Sequence, residues 1–268
     1  MHWIIGDIHG MLGPLEALLE AIADADRDAQ LCFAGDYVNR GPDSRGVIDL
    51  LLTLPNARFI RGNHDDIFAQ VLLGHTYCPN ASQGNRFLAF MWFMRHGLSS
   101  TLTSYGADPA ELEDLAERPS EQRLDDVLTC VPESHRRFIR HLEPLIEQDD
   151  FFVAHGLWEI HESDMQPPML QRLAGSARHR ETILWGRFTR QQILANKAWH
   201  RTGYFGHTPV ECYPDLLPDG EPEAIRGPKI VLVDSGCALG PSGRLTAFCH
   251  ETQIAIQVSH YADLITSR

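Results

Sequence analysis

The first third of this chain repeats one pattern three times, and that repetition constrains the fold more than any other feature. A short apolar run, "HWIIGD" from residue 2, is followed by Leu12, Leu15, Leu18, Leu19 and Ile22 at helical spacing. "QLCFAGD" from residue 30 precedes Val47, Ile48, Leu51 and Leu52, and Ser44 is placed to cap that second helix. "ARFIRGNHD" from residue 57 leads into an apolar helical stretch from Ile67 to Leu73. Such a βαβαβ rhythm predicts parallel strands joined by crossover helices. In sheets of this kind ligands gather beyond the carboxyl ends of the strands. All three strands end there in a Gly-containing polar cluster: "GDIHG", "GDYVNRG" and "GNHD".

From about residue 75 to 148 the pattern changes. "NRFLAFMWFMRHG" and "HRRFIRHLEPL" have helical spacing between Pro-punctuated links, and "ELEDLAE" reads as a solvated helix face. The stretch reads as a helical insertion in a single domain spanning 1–268, with Phe87, Phe90, Trp92 and Phe93 in its core. Strands resume at "DDFFVAHG", "GYFGH", "KIVLVDSG", "LTAFCH" and "QIAIQV". Alternation in the last two suggests a second, partly antiparallel sheet. Residues 213–228, rich in Pro and Gly, read as an exposed loop between two strands.

The totals exclude several classes. A net charge of −13 leaves no basic face for general nucleic-acid binding. Six cysteines include no CxxC pair, which argues against a zinc knuckle or a dense disulfide framework, and Cys32 reads as a small core residue. No apolar run approaches the ~20 residues needed to span a bilayer. With no signal-peptide pattern either, a soluble, cytoplasmic protein is expected.

Each cluster alone has an ordinary explanation as a turn or a helix cap. Together, five strand ends converge Asp7, His9, Asp36, Asn63, His64, His155 and His207 on one sheet edge. A mixed carboxylate, imidazole and amide set suits borderline divalent metals such as Mn²⁺, Fe²⁺ or Zn²⁺.

In order along the chain, "GDIHG", "GDYVNRGPDS", "GNHD", "VAHG", "LWGRF", "GHT" and "VDSGCALGPSGRLTAF" resemble the signature blocks of the calcineurin-like metallophosphoesterases. More narrowly they are similar to the phosphoprotein phosphatase branch and its bacterial relatives, including the symmetrical diadenosine tetraphosphatases. The resemblance implies an α/β fold, a β-sandwich flanked by helices in an αββα order, and two divalent ions, with Mn²⁺ expected and Fe or Zn as alternatives. It implies Asp7 and His9 on the first metal, Asp36 bridging, and Asn63, His155 and His207 on the second. It implies His64 as general acid, and Arg40 and Arg187 as phosphate ligands. The implied reaction is in-line attack on phosphorus by a metal-bridging hydroxide, with no covalent intermediate.

Position 39 departs from the phosphatase pattern, which has Asp there beside the catalytic His. Asn39 can hold the His64 ring but supplies no charge to favour imidazolium, so a lowered His64 pKa is expected. Asp65 or Asp66 could supply that charge, or could serve as helix caps. Asp234 either orients a ligand or starts a turn, and Trp158 and Trp185 either line the substrate mouth or pack in the core. The histidines at 75, 96, 135, 141, 161, 179, 200, 250 and 260 lie outside the blocks and read as surface or helical residues.

Three functions follow. The first is a phosphomonoesterase, with phosphoserine and phosphothreonine in proteins among its substrates. The second is a symmetrical dinucleoside polyphosphate hydrolase, for which a nucleotide leaving group needs little acid assistance. The third, a phosphopeptide-binding pseudoenzyme, is disfavoured by the intact ligand set.

Overall fold

The computed structural model describes residues 1–78, 84–158, 169–195 and 199–265, with only the backbone at 170–172; His161 lies outside these residues. Strands β1 (His2–Ile5), β2 (Gln30–Phe33) and β3 (Ala57–Phe59) are parallel neighbours. Helices α1 (Leu12–Ala25) and α2 (Ser44–Leu51) make the crossovers, and α3 (Asn63–Leu73) follows β3 directly. Helices α4 (Arg86–Phe93), α5 (Ser99–Ser104), α6 (Pro109–Glu117), α7 (Glu121–Leu128) and α8 (Glu133–His141) form the insertion, and a π-helical turn, Met94–Leu98, links α4 to α5. Phe90, Leu102, Leu112, Leu128 and Phe138 share one apolar core with Leu15 of α1 and Val47 of α2. The insertion therefore thickens the existing helical layer.

The remaining elements are β4 (Ile146–Glu147), β5 (Phe151–Ala154), α9 (Met169–Gly175), α10 (Ala177–Trp185), α11 (Arg190–Leu194), β6 (Thr202–Phe205), β7 (Ile225–Arg226), β8 (Ile230–Leu232), β9 (Arg244–Cys249), β10 (Ala255–Ser259) and β11 (Leu264–Ile265). Two sheets result, ordered β11-β10-β9-β1-β2-β3 and β4-β5-β6-β8-β7. Strands β5, β6 and β8 are parallel, while β4 and β7 run antiparallel at the edges. The loop after β6 carries β7, which pairs with β8.

Residue alternation explains the layering. Trp3 and Ile5 face the helical core while Ile4 joins Phe151, Val153 and Tyr204 between the sheets. Phe152 and Ala154 turn the other way, onto Ile183 and Leu184 of α10. Both faces of the central strands are covered, as parallel strands require. Each fully buried aliphatic side chain contributes about 1.5–3 kcal/mol to this stack. The expected αββα sandwich with a helical insertion is the observed fold.

Two local expectations need correction. The alternating strands β9 and β10 extend the first sheet: β9 pairs antiparallel with β1, and β10 with β9. Alternation reports a strand's two faces but not its partner. The cap of α2 is Asp43, whose carboxylate accepts from Gly46 N–H at 2.7 Å. Ser44 is buried one position inside, and its hydroxyl accepts from Asn39 N–H (3.2 Å) and pairs with Thr101 Oγ1 (2.9 Å).

Candidate active site

The two sheets present the carboxyl ends of their parallel strands to a common region. Asp7, Asp36 and Asn63 lie just beyond β1, β2 and β3, and His155, His207 and Asp234 just beyond β5, β6 and β8. All six are buried, as are His9 and His64. Asp36 Oδ1 is 3.4 Å from His155 Nε2, while Oδ2 is 3.5 Å from His9 Nε2. Each oxygen of one carboxylate thus faces a different imidazole, and Oδ1 also accepts from His64 N–H at 2.9 Å. Asn63 Oδ1 is 2.9 Å from both His155 Nε2 and His207 Nδ1. The Asp7 carboxylate accepts from His207 N–H at 3.1 and 3.2 Å.

Backbone carbonyls decide which ring nitrogens point inward. His9 Nδ1 is 3.0 Å from Val38 O, His155 Nδ1 is 2.7 Å from Ala34 O, and His207 Nε2 is 3.2 Å from Trp185 O. A carbonyl only accepts, so those nitrogens carry the protons. The opposite nitrogens of His9 and His207, both held neutral, turn lone pairs toward the oxygens of Asp36 and Asn63, while that of the basic His155 shares a proton with Asp36 or yields it to a cation. Lone pairs facing one another in a buried pocket require a proton or a cation between them. Asp7, Asp36 and His155 bring ligand atoms within 4.8 Å of one another, as do His9, Asp36 and His64. The residues present therefore fit two cations sharing Asp36. His64 is the weakest ligand of these, because its Nε2 faces Arg40 Nη2 at 3.4 Å.

Charge in the pocket points the same way. Burial, then the nearby Asp234, drives the Asp7 carboxyl well above the usual range, and burial pushes Asp234 up to about 6. Burial also opposes the charge on Asp36, but His155 and His64 outweigh it and hold that carboxyl well below the usual range. His155 answers in kind: Asp36 overcomes burial and lifts it to about 10. Burial, with Arg40 next, lowers His9 to about 4. His64 and His207 are held well below the ordinary imidazole range, chiefly by burial. A pocket with three buried acids and one strongly basic imidazole is short of positive charge, which divalent cations would supply.

Beside these groups is a cavity of about 180 Å³, lined by Arg40 and Arg187 together with Asp36, Asn63, His64 and His207. The proposed phosphate arginines and metal ligands therefore share one space. The Asn39 amide donates to His64 Nδ1 at 2.9 Å, and its Oδ1 accepts from the Thr101 hydroxyl at 2.9 Å. Thr101 Oγ1 in turn accepts from Asn39 N–H at 2.8 Å. The backbone here is strained: φ is +49° at His9, +55° at Asp36, +72° at Asn39, +68° at Arg40 and +65° at His207. Asn tolerates this left-handed region better than most residues, which gives position 39 a conformational reason for its amide. A Cβ on Gly62 would lie 2.1 Å from Asp36 Oδ1, so only glycine admits that carboxylate.

Several open alternatives close. The Asp65 carboxylate caps α3 through Gly62 N–H (2.9 Å) and accepts from Asp36 N–H (2.8 Å) and Tyr37 N–H (3.0 Å), tying that helix to the β2 loop. Asp66 accepts from Tyr77 N–H at 2.7 Å and pairs with Arg61 at 3.3 Å. Asp234 does start a turn, accepting from Gly236 N–H at 3.0 Å, and also raises the Asp7 carboxyl. Trp158 packs in the core under the second sheet, whereas Trp185 lines the cavity. Phe90 and Phe93 are buried insertion core, but Trp92 is 41% exposed and lines the cavity with His96. Sequence reasoning missed Trp92, His96 and Thr101 as site residues; the "FMWFMRH" run was the available signal for the first two.

A family model described as calcineurin-like phosphoesterase matches residues 3–211. The symmetrical bis(5'-nucleosyl)-tetraphosphatase of Legionella pneumophila strain Lens is 44% identical over 73 residues, 27% of this chain and 26% of that protein. The chain thus aligns with about a quarter of that relative's length. Among solved structures, a cold-active protein tyrosine phosphatase superposes with a TM-score of 0.57 at 16% identity, covering 99% of this chain and 78% of the other. A metallophosphoesterase from Sphaerobacter thermophilus gives 0.50 at 20% identity, covering 100% and 89%. At these identities the likeness to solved structures concerns the fold. Among the described residues no helix is long and apolar enough to cross a membrane.

Proposed function

This chain belongs to the calcineurin-like phosphoesterase family, and from that membership we propose that it is a metal-dependent hydrolase of phosphate monoesters. The observation that carries the reading is Asp36, whose two oxygens face two different imidazoles beside a cavity walled by Arg40 and Arg187. Asp7, His9, Asp36, Asn63, His155 and His207 would hold two divalent cations; mixed carboxylate, amide and imidazole donors suit Mn²⁺, Fe²⁺ or Zn²⁺, and Mn²⁺ is the ion we propose. When bound, such ions supply an activated water near neutral pH and neutralise phosphate charge.

The chain's own residues do the rest. Arg40 and Arg187 bind and orient the non-bridging oxygens, each through a planar fork of donors. The Asn39 amide donates to Nδ1 and Arg40 Nη2 faces Nε2 at 3.4 Å, so a neutral His64 would take its proton at Nε2 once Arg40 turns its donors onto the phosphate. It is then a neutral N–H donor to the leaving oxygen. That suffices for a leaving group of low basicity, such as an aryl oxide or a nucleotide, and falls short for an alkoxide. The alkyl esters phosphoserine and phosphothreonine are the monoesters this arrangement supports least.

The test is turnover of aryl and alkyl phosphomonoesters by the Mn²⁺-loaded protein. We expect hydrolysis that chelator abolishes, faster on aryl esters. No turnover of any ester in saturating Mn²⁺ would refute the reading.

A second reading, symmetrical hydrolysis of a dinucleoside polyphosphate, is supported by the same neutral His64 and by the name of the Legionella relative. Its signature is formation of nucleoside diphosphate alone from diadenosine tetraphosphate. A mixture of mono- and triphosphate would exclude it.

A further inference from the structure

We infer that Trp92 and Trp185 form a subsite for a planar aromatic ring carried on the substrate's phosphate, an inference that rests on the hydrolase reading of the neighbouring cavity. The two indoles stack with centroids 5.6 Å apart and planes 12° from parallel. They come from separate layers, Trp92 from α4 of the insertion and Trp185 from the end of α10 under the second sheet. Both line the cavity that contains the phosphate arginines.

The ring pair is fixed relative to the reacting centre at both ends. Trp185 O lies 3.2 Å from Nε2 of His207, and its ring centroid lies 6.4 Å from that imidazole at 82°. On the other side Trp92 meets Phe93 edge to face at 5.3 Å, and Phe93 meets the His64 ring at 4.9 Å. An aromatic wall thus runs from His64 through Phe93, Trp92 and Trp185 to His207. His96 stands against Trp92 at 5.9 Å.

Exposure alone does not set Trp92 apart, since Leu88 and Met91 of the same helix are 49% and 44% exposed; its place on the lining of the cavity that holds Arg40 and Arg187 does. A buried indole would serve to dock the insertion, yet 41% of Trp92 remains exposed at the mouth of a polar cavity. Leaving so much aromatic surface in water costs burial energy that a stacked ligand ring would recover. Stacking reads a π-face and no particular hydrogen-bonding edge. The shared chemistry is therefore a flat ring close to the phosphate, whether an aryl group or a nucleobase.

Binding measurements test this without requiring turnover. The Mn²⁺-loaded protein is titrated calorimetrically with methylphosphonate, phenylphosphonate and a nucleoside 5'-phosphonate. At least one aromatic probe should bind on the order of tenfold more tightly than methylphosphonate, the value of one stacked ring. The tighter of the two identifies the source of the ring. In Trp92→Leu that preference should vanish, and Trp92→Phe should restore most of it. An unchanged preference in Trp92→Leu, or equal affinity for all three probes in the parent protein, would overturn the inference. Retained aromatic preference in a protein that hydrolyses no phosphate ester would instead overturn the hydrolase reading and leave this one standing.

Discussion

Thr101 and Asn39, 62 positions apart in the chain, are joined twice: Thr101 Oγ1 accepts from the Asn39 backbone N–H at 2.8 Å and donates to its side-chain oxygen at 2.9 Å. Both residues are fully buried. The hydroxyl from the insertion thereby holds the strained Asn39–Arg40 backbone and orients the amide that meets His64. Nearby, a Cβ on Gly97 would lie 2.1 Å from Arg40 N, so the insertion lies directly against that loop. Its role is to brace the candidate site as well as to extend the core.

Replacing Thr101 with Val keeps the volume and removes both hydrogen bonds. The Asn39 N–H keeps Ser44 Oγ as acceptor, but leaving the buried side-chain oxygen of Asn39 without its donor should cost about 1–3 kcal/mol of stability. Turnover should fall by roughly tenfold as Arg40 and His64 lose their alignment. Thr101→Ser should restore turnover, and melting curves with kcat and KM for all three proteins check it. A Val variant that loses stability but keeps kcat and KM would confine Thr101 to a structural role.

Asn39→Asp should change both pH dependence and leaving-group preference. Burial holds the His64 imidazole well below its ordinary range despite the opposing pull of Asp36, and Arg40 adds to the lowering. A carboxylate in place of the Asn39 amide favours imidazolium and accepts from a protonated Nδ1. The His64 pKa therefore rises, and the alkaline limb of the pH–rate profile should move up by about one unit. Alkyl phosphate turnover should gain relative to aryl phosphate turnover. Superimposable profiles and an unchanged ratio would show that position 39 does not set the state of His64.

Metal should stabilise the fold as well as activate it. Asp7, Asp36 and Asp234 are buried together, and burial pushes the Asp7 and Asp234 carboxyls upward. Mn²⁺ at about 100 times its dissociation constant should add roughly 2.7 kcal/mol to folding stability. That corresponds to a midpoint rise of roughly 5–10 °C for a domain of this size. Thermal melts with and without chelator measure it. Asp36→Asn should abolish most of the rise, because both candidate cation positions share that carboxylate.

Arg40→Lys and Arg187→Lys keep a positive charge but lose the bidentate fork. Each should lower kcat/KM by about 10–100-fold and weaken competitive inhibition by inorganic phosphate. Arg187→Lys with parent-like inhibition would remove Arg187 from phosphate binding.

The strand-end clusters were legible because they are local: a strand, a glycine and the polar residues after it occur in one run of sequence. The rhythm carried the parallel strands and their crossover helices, whereas the helix-flanked sandwich was implied by the resemblance of the ordered blocks to the calcineurin-like metallophosphoesterases. The sheet membership of β9 and β10 was hidden because pairing with β1 crosses most of the chain. Thr101 was hidden because a hydroxyl in "LSSTLTS" resembles any polar helix face until α5 is packed on the Arg40 loop. Trp92 was placed in the core because helical spacing marks an apolar face without showing where it meets a cavity. The left-handed backbone at Asn39 and Arg40 carries no glycine signal at all, so the conformational reason for Asn39 emerged only from its φ.

The most direct test of the central claim is metal content measured alongside phosphate release from an aryl phosphomonoester on the same protein sample. Two Mn²⁺ per chain are expected at full activity, with activity lost on chelation, restored by Mn²⁺, and absent in Asp36→Asn. Full activity after complete chelation, or in the Asp36→Asn protein without bound metal, would contradict a dinuclear centre organised by Asp36.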